Sequence, residues 1–451
     1  MKILVCVKVI KGELNPFDES ALECALQLSN DVTVLSMCPE SAESTLLPLT
    51  RLGAKVILIS DAMYAGSDTL ATSYILSKAV SLLEYDLILC GRQTVDGDTA
   101  QVGPMLSRML GIPLITNALS VSVNDISVNA STRMGDESVN LPALVTVERG
   151  YILRFASIFS SLGKVQVWDN SKLLCDSSKC GFSGSPTRVL EVFESERGKR
   201  KCKFITMDEL IPLIEELKKR TEEKESSQNV CKKLNSVWAI GKEVLEKANE
   251  IADEVICIEK TTPEEIAKLA IEKKPEVILW NADLWGRRNA PVTAAMLGTG
   301  LCADCTRLEV LGEDLIMYRP AQGGSIYAKI KCLTKPQMAT VRTQSDSTDI
   351  IVSGGRGVSD KLDKLKEFAE KTGAEMAASR GLVDSGKAAY EMQIGLTGKT
   401  VSPKIYIAVG ISGAVHHTCA IEGADTIIAI NPDRNARIFE YADYGICCEF
   451  Q

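Results

Sequence analysis

Two arginines and two glycine-rich turns near the C-terminus have the types and spacing to hold a pyrophosphate. Gly354-Gly355-Arg356-Gly357 follows the short apolar run Asp349 to Ser353, and Ser379-Arg380 follows Ala374 to Ala378. Gly410-Ile411-Ser412-Gly413-Ala414 follows the alternating run Lys404 to Val409, and Asn431 follows the apolar run Thr426 to Ile430. Each run reads as a strand, so each candidate group sits at a strand C-terminus. The turn lacks the G-x-G-x-x-G spacing of a dinucleotide fingerprint. Its small residues would still let backbone approach a phosphate, and the helix expected after Gly413 would point free N–H groups at it. In an open parallel sheet, ligands lie outside the carboxyl ends of the strands. Arg356, Arg380, Ser412 and Asn431 are therefore expected to share one crevice.

A second loop with anion-binding chemistry runs from Cys90 to Pro104, after a buried strand and before a helix. Gly97 is expected to permit its turn and Asp98 to cap the helix. Thr99, Ala100 and Gln101 would offer a hydroxyl, an amide and free N–H groups, and Arg92 would add a full charge. A capped helix without a ligand is an equally good reading of this loop chemistry alone.

These groups need a scaffold, and 451 residues suggest about three domains. Strands are expected at 3–9, 32–37, 55–60 and 86–90 with amphipathic helices between them, which is α/β. Asp86 to Cys90 aligns with Glu276 to Trp280, and Pro104 to Gly111 aligns with Pro291 to Gly298. That pattern predicts a duplicated domain. The second copy carries Leu284-Trp285-Gly286-Arg287-Arg288 in place of the anion loop and is expected to be structural. The stretch 190–233 is charge-dense; Met207 to Leu217 has helical spacing, and the remainder reads as a linker.

Composition excludes several classes. A net charge of −8 argues against a nucleic-acid partner. With only His416 and His417 and a lone Cys302-x-x-Cys305, no metal site is expected. The 15 cysteines read as free thiols of a cytoplasmic protein, because Met1-Lys2 leads straight into a strand and no run is long enough to span a bilayer. There is no G-x-S-x-G elbow and no nucleophile beside a base, so no catalytic residue is assigned.

The motifs also carry a resemblance. SGGRG at 353–357, ASR at 378–380, MQIGLTGK at 392–399, AVGISGAVHH at 408–417, AIN at 429–431 and ADYGI at 442–446 resemble the FAD-binding domain of the electron transfer flavoprotein α subunit. LGTGLCADCT at 297–306 and KPQMATVR at 335–342 also resemble that subunit. Asn15-Pro16-Phe17, GRQTVDGDTAQVGP at 91–104, LRFASIFSS at 153–161 and GSPTRV at 184–189 resemble the β subunit, and the DGDTAQVGP form is similar to the electron-bifurcating branch. The resemblance implies a β-like half fused ahead of an α-like half. Two related nucleotide-binding-type α/β domains, 1–190 and 234–330, would join a doubly wound parallel-sheet FAD domain at 331–451 through an arm and charged linker at 191–233.

What the resemblance implies for sites follows residue by residue. FAD would be held by Arg356, Ser379, Arg380, Gln393, Gly395, Thr397, Gly398, Ser412, Gly413, Ala414, His417, Asn431 and Asp443. Arg380 would lie over the flavin ring, Thr397 would donate near N5, and a positive His417 would sit near the C2 carbonyl. Ser412 and Gly413 would take the pyrophosphate, with Asn431 and Asp443 at the adenosine end. Cys6, Asn15, Asp96, Gly97, Asp98, Thr99, Ala100 and Gln101 would hold AMP or a second FAD that exchanges hydride with NAD(H).

The implied function is electron carriage between an acyl-CoA dehydrogenase, as in fatty acid β-oxidation, and another redox partner. Bifurcation from NADH to ferredoxin or flavodoxin and an acyl-CoA is one alternative, and a redox-inert adenine-nucleotide-binding regulator is another. Departures from the family pattern are Leu396 and His416 where Gln is usual, Arg288 where Asp is usual, and Thr343-Gln344 in place of Pro-Gly. The FAD domain is further expected to lack the wrapping β-subunit arm and to reorient on its linker. Limited trypsin digestion should therefore cut first between Arg220 and Lys233, and a first cut inside 349–446 with FAD bound would contradict this organisation.

Overall fold

The computed structural model describes residues 1–194, 200–220, 234–322, 326–343, 349–395, 398–399, 401 and 403–451. One compact unit comprises 1–191, 232–322 and 328–341; the other comprises 192–231, 323–327 and 342–451.

The first unit opens with β1 (Lys2–Val7), α1 (Pro16–Leu28), β2 (Asp31–Met37), β3 (Lys55–Ile59), α2 (Thr69–Val80), β4 (Leu87–Gly91) and α3 (Val102–Leu110). It continues through β5 (Leu114–Val123), β6 (Ser127–Thr132), β7 (Gly135–Asn140), β8 (Ala143–Val147) and β9 (Val165–Trp168). These strands form one sheet in the order β9-β3-β2-β1-β4-β8-β5-β6-β7, parallel except where β6 and β7 fold back as an antiparallel meander. Successive residues of β1 enter opposite cores: Ile3 and Val5 on one face, Leu4 and Cys6 on the other. This two-sided burial explains why its sequence is continuously apolar rather than alternating.

The chain then repeats itself. β10 (Val237–Ile240), β11 (Val255–Ile258), β12 (Val277–Asn281), α4 (Leu284–Leu297), β13 (Leu301–Cys305) and β14 (Gln337–Val341) build a sheet in the order β11-β10-β12-β14-β13. Matched strand for strand, this is the order β2-β1-β4-β8-β5 of the first sheet. Each copy also places a cis X–Pro bond, Leu141-Pro142 or Lys335-Pro336, immediately before the matching strand, β8 or β14. The duplication expected from sequence is thus a duplication of topology. Helices α3 and α4 occupy equivalent places and pack on each other, burying Met105 with Trp238, Trp280, Ala290 and Ala294. β14 closes this sheet, so the last domain begins after Val341 and not at 331.

The second unit contains β15 (Ile350–Gly354), α5 (Leu362–Thr372), β16 (Glu375–Ser379), β17 (Gln393–Ile394), β18 (Ile405–Val409), α6 (Val415–Thr418), β19 (Thr426–Ile430) and β20 (Tyr444–Ile446). Their parallel order is β17-β16-β15-β18-β19-β20, with Lys203–Phe204 added beyond β20. Numbered within the domain, that order is 3-2-1-4-5-6, the doubly wound arrangement. Leu365 and Ala369 face the core from α5, which ends at Gly373 in a left-handed cap, as its spacing predicts.

Part of the 191–233 stretch packs on this domain. Lys203 and Ile205 donate backbone hydrogen bonds to Asp443 and Gly445, and the helix Leu210–Arg220 buries Leu210 and Ile214 against Ile350 and Val352. Leu210, Leu213, Ile214 and Leu217 recur at helical spacing on this core. This is the helical spacing read over Met207 to Leu217, docked on the last domain. The rest of the linker reading, 221–233, lies outside the described residues. Among the described residues no helix is long and apolar enough to cross a membrane.

Because Met105 fills the core between the duplicated domains, Met105→Ala should destabilise the first unit by about 2–4 kcal/mol in urea titration. An unchanged midpoint would contradict that packing.

Candidate functional site

In the last domain the chain order reverses between β15 and β18, which are hydrogen-bonded neighbours with Gly354 level with Val409. The loops leaving these strands meet at the carboxyl edge, the place where an open parallel sheet binds its ligands. They also interlock. Gly355 N donates to Val409 O at 2.8 Å and Gly357 N to Gly410 O at 3.1 Å. A Cβ on Gly355 would lie 2.2 Å from Gly410 O, and one on Gly413, whose φ is +84°, would lie 2.1 Å from Ile438 N. The small residues attributed above to phosphate approach are thus required first for the two loops to approach each other.

Around this edge the structure gathers most of the expected residues. Arg356 is exposed, its guanidinium has no hydrogen-bond or ion-pair partner among the described residues, and its stem runs along Gly381, whose Cβ would lie 3.0 Å from Arg356 Cδ. Arg380, next to Gly381, donates from Nε to Asp384 at 3.0 Å. Ser379 precedes it, paired in register with Ile394. Gln393 is buried and begins a tight turn in which Gly398 N donates to Gly395 O and Lys399 N to Gln393 O. Thr397 lies outside the described residues, as does Leu396. Ser412 and Ala414 are exposed on the facing loop. The helix they open, α6, is a single turn of four residues, so its dipole at a pyrophosphate is weaker than the sequence suggests.

Three assignments change. His417 is buried and uses both ring nitrogens inside the protein: Nδ1 donates to Ile394 O at 3.1 Å, and Nε2 accepts from Tyr406 Oη at 2.8 Å. A carbonyl can only accept, which fixes this tautomer. Burial lowers His417 to about 4, so it is neutral at pH 7 and does not supply the positive charge expected of it. Asn431 stands at the crevice edge, but its amide donates to Ile411 O and accepts from Asp433 N, so it holds the loop. Asp443 sits at the opposite, amino edge of the sheet, where it accepts from Ile427 N and pairs with Arg200. It is not brought to the crevice.

At the carboxyl edge of the first sheet, Cys6 and Cys90 are register partners on β1 and β4, and Asn15 and Asp96 lie nearby. Asn15 pins the loop, donating to Gln93 O and accepting from Val95 N. Asp96 pairs with Lys8 at 2.7 Å. Burial opposes ionisation of Asp96, but hydrogen bonds led by that from Lys8 outweigh it and hold the carboxyl below its usual range. The left-handed residues are Asp98 and Ala100, not Gly97. Each costs of the order of 1 kcal/mol, a strain that clusters at ligand sites. The helix cap is Gln101, not Asp98. Gln101 is buried, accepting from Thr69 and donating to Leu301 O, while Asp98 O accepts from Arg319. Arg92 is buried against Glu148 at 2.6 Å, so its charge is already neutralised.

What remains for a ligand is the Thr99 hydroxyl and the backbone N–H groups of Thr99, Ala100 and Gln101, which have no partner among the described residues, at the start of α3. This donor set fits an anion. The second copy has no counterpart: α4 starts directly at Leu284, capped by Asp283, as the structural reading of that copy requires. Arg288, a departure from the family pattern, ties the two copies together by bonding Glu137 and Leu114 O.

Comparison with known proteins adds three findings. A family model described as "Electron transfer flavoprotein domain" matches residues 3–170 and again 239–365. One described as "Electron transfer flavoprotein FAD-binding domain" matches 345–422. Similar curated proteins include "Electron transfer flavoprotein subunit alpha" of Thermoanaerobacterium thermosaccharolyticum, 42% identical over 40% of this chain and 69% of the relative. "Protein FixB" of Clostridium saccharobutylicum is 40% identical over 40% of this chain and 68% of its own length. "Protein FixB" of Rhizobium meliloti is 37% identical over 41% and 66%, so the chain spans about two thirds of each relative.

The buried His417 makes a pH-dependent contribution. As pH falls the unfolded imidazole, near 6.5, takes up its proton before the folded one, near 4. The stability from this site is full above about pH 6.5 and is lost between 6.5 and 4, by an amount of order 3 kcal/mol. Urea titrations across that range should show a steeper loss for wild type than for His417→Gln; parallel curves would contradict a neutral buried His417.

Proposed function

Because the chain belongs to the electron transfer flavoprotein family, we propose that it carries electrons from a flavoprotein dehydrogenase acting on an acyl-CoA to a second redox partner, through one FAD bound in the last domain. The observation that carries this reading is the pair Arg356 and Arg380 at the carboxyl edge of a 3-2-1-4-5-6 sheet, among the described residues one guanidinium unpartnered and the other held only by Asp384. FAD supplies two-electron acceptance and one-electron release. Arg356, with the exposed Ser412 and Ala414, would hold its pyrophosphate; Ser379, Arg380 and the Gln393–Gly398 turn would face its ring end. The neutral His417 fixes that turn through Ile394 and donates no charge.

In this reading residues 1–190 with the arm and linker at 191–233 are a β-like half, and 234–451 an α-like half. The Asp96–Gln101 loop takes the phosphate of a second adenine nucleotide, AMP or FAD. A dehydrogenase needs a surface to dock on, and the segment after β8 offers one. Ile152, 89% exposed, and Phe155, 99% exposed, line a hollow of about 560 Å³ with Pro16, Glu19 and Leu153, and further along the same segment Ile158 is 84% and Phe159 92% exposed. Large apolar side chains clustered in water mark interaction sites.

Flavin and AMP counted per chain test the reading. One flavin with one AMP makes a simple carrier, two flavins make NADH-driven bifurcation the better reading, and a colourless protein that takes up no FAD overturns it. Arg380→Ala should keep FAD and lower its potential by tens of millivolts, while Asp384→Asn should raise it, since removing the carboxylate leaves the guanidinium charge uncompensated. Unchanged potentials in both variants would remove Arg380 from the flavin.

A further inference from the structure

We propose that Arg51 is a positioning residue that holds the apolar tip Ile158-Phe159 ready for the dehydrogenase; this rests on the docking reading above. The tip is a tight turn. Ser160 donates to Ser157 O from both N (3.1 Å) and Oγ (2.7 Å), and Phe159 N donates to Ser157 Oγ at 3.2 Å. Ile158 and Phe159 are its two central residues, positions that favour Gly, Pro, Asn or Asp. Local propensity thus works against this turn, and exposure of both side chains returns no burial energy to the free protein. Something else must hold it.

That support comes from a different part of the chain. Arg51 donates from Nη2 to Ser157 O at 2.9 Å and from Nε to Ser160 O and Oγ, both at 3.3 Å. Ser157 O therefore receives three donors. One residue earlier, Thr50 Oγ1 accepts from Gly163 N at 2.9 Å. Gly163 is seated so closely that a Cβ there would lie 3.0 Å from Thr50 Cβ. The short helix Leu47–Leu52 that carries both residues is fixed in the core by Leu49, with Leu46 buried just before it and the left-handed Gly53 ending it. Arg51 has no carboxylate partner among the described residues, so its guanidinium serves this turn alone.

The consequence is preorganisation. A loop that must order itself on docking loses backbone and rotamer freedom at that moment, and a turn already fixed to the core does not. Arg51 should therefore act on partner recognition without touching the flavin.

The test uses the full chain with FAD bound and, as donor, a purified acyl-CoA dehydrogenase kept reduced by its acyl-CoA, chosen because it reduces the wild-type chain. Arg51→Ala should raise KM for the dehydrogenase roughly tenfold with kcat, FAD content and flavin potential unchanged. Thr50→Val should raise it less, and Arg51→Lys, which keeps one donor, should recover part of the loss. In an Ile158→Ser, Phe159→Ser background, Arg51→Ala should add nothing. The inference is overturned if Arg51→Ala and Thr50→Val leave KM unchanged while the tip variant raises it, or if Arg51→Ala keeps its full effect without the tip. An unchanged KM in the tip variant itself overturns the docking reading, and the inference with it. If Arg51→Ala does not fold, Thr50→Val and Arg51→Lys decide by the same criteria.

Discussion

The close approach of two loops at the strand-order reversal of the last sheet is the constraint on which the candidate flavin site depends. Gly355 must come within hydrogen-bonding distance of Val409, and Gly357 of Gly410, for the crevice to have its shape. Neither Gly355 nor Gly413 has space for a β-carbon. The groups offered to a ligand, Arg356 beside Gly357 and Ser412 beside Gly413, are carried on those loops, so their placement is inherited from backbone packing. His417, tied to Ile394 and Tyr406, extends the same rigid frame to the Gln393–Gly398 turn. A charged histidine could keep that contact only by donating from Nε2 to Tyr406 Oη, and burial opposes the charge.

The first unit solves a related problem differently. Its candidate anion loop is built from strained non-glycine residues, Asp98 and Ala100, and held by bonds with Asn15, Gln93, Lys8 and Arg319. Arg319 and Leu301 belong to the duplicated copy, which has no such loop. One copy therefore carries the candidate ligand loop and the other braces it, with α3 against α4 as the joint.

Much of this was legible in the sequence, for physical reasons. Buried parallel strands announce themselves as continuous apolar runs, Gly373 marks a helix end, and the repeat survives in β4, β12 and the helices after them. The positions of Arg356, Ser379, Arg380 and Ser412 follow because they are adjacent to strand ends. What could not be read was the partner of each polar group. Arg92 looks like a free cation until Glu148 is seen against it, Asn431 looks like a ligand group until Ile411 takes its amide, and Asp443 looks like a site residue although it begins its strand instead of ending it. The helix within the charged stretch was legible because its four apolar residues keep helical spacing despite the charge density over 215–220. Asp98 was misplaced as a cap because the loop uses left-handed geometry at residues that rarely adopt it.

The most direct test of the account is the affinity of the Gly355→Ala variant for FAD, followed by quenching of flavin fluorescence. The added methyl must separate the two loops, since it would sit 2.2 Å from Gly410 O. The account predicts that FAD is released while the nucleotide of the first domain is retained. FAD bound as tightly as in wild type would contradict it.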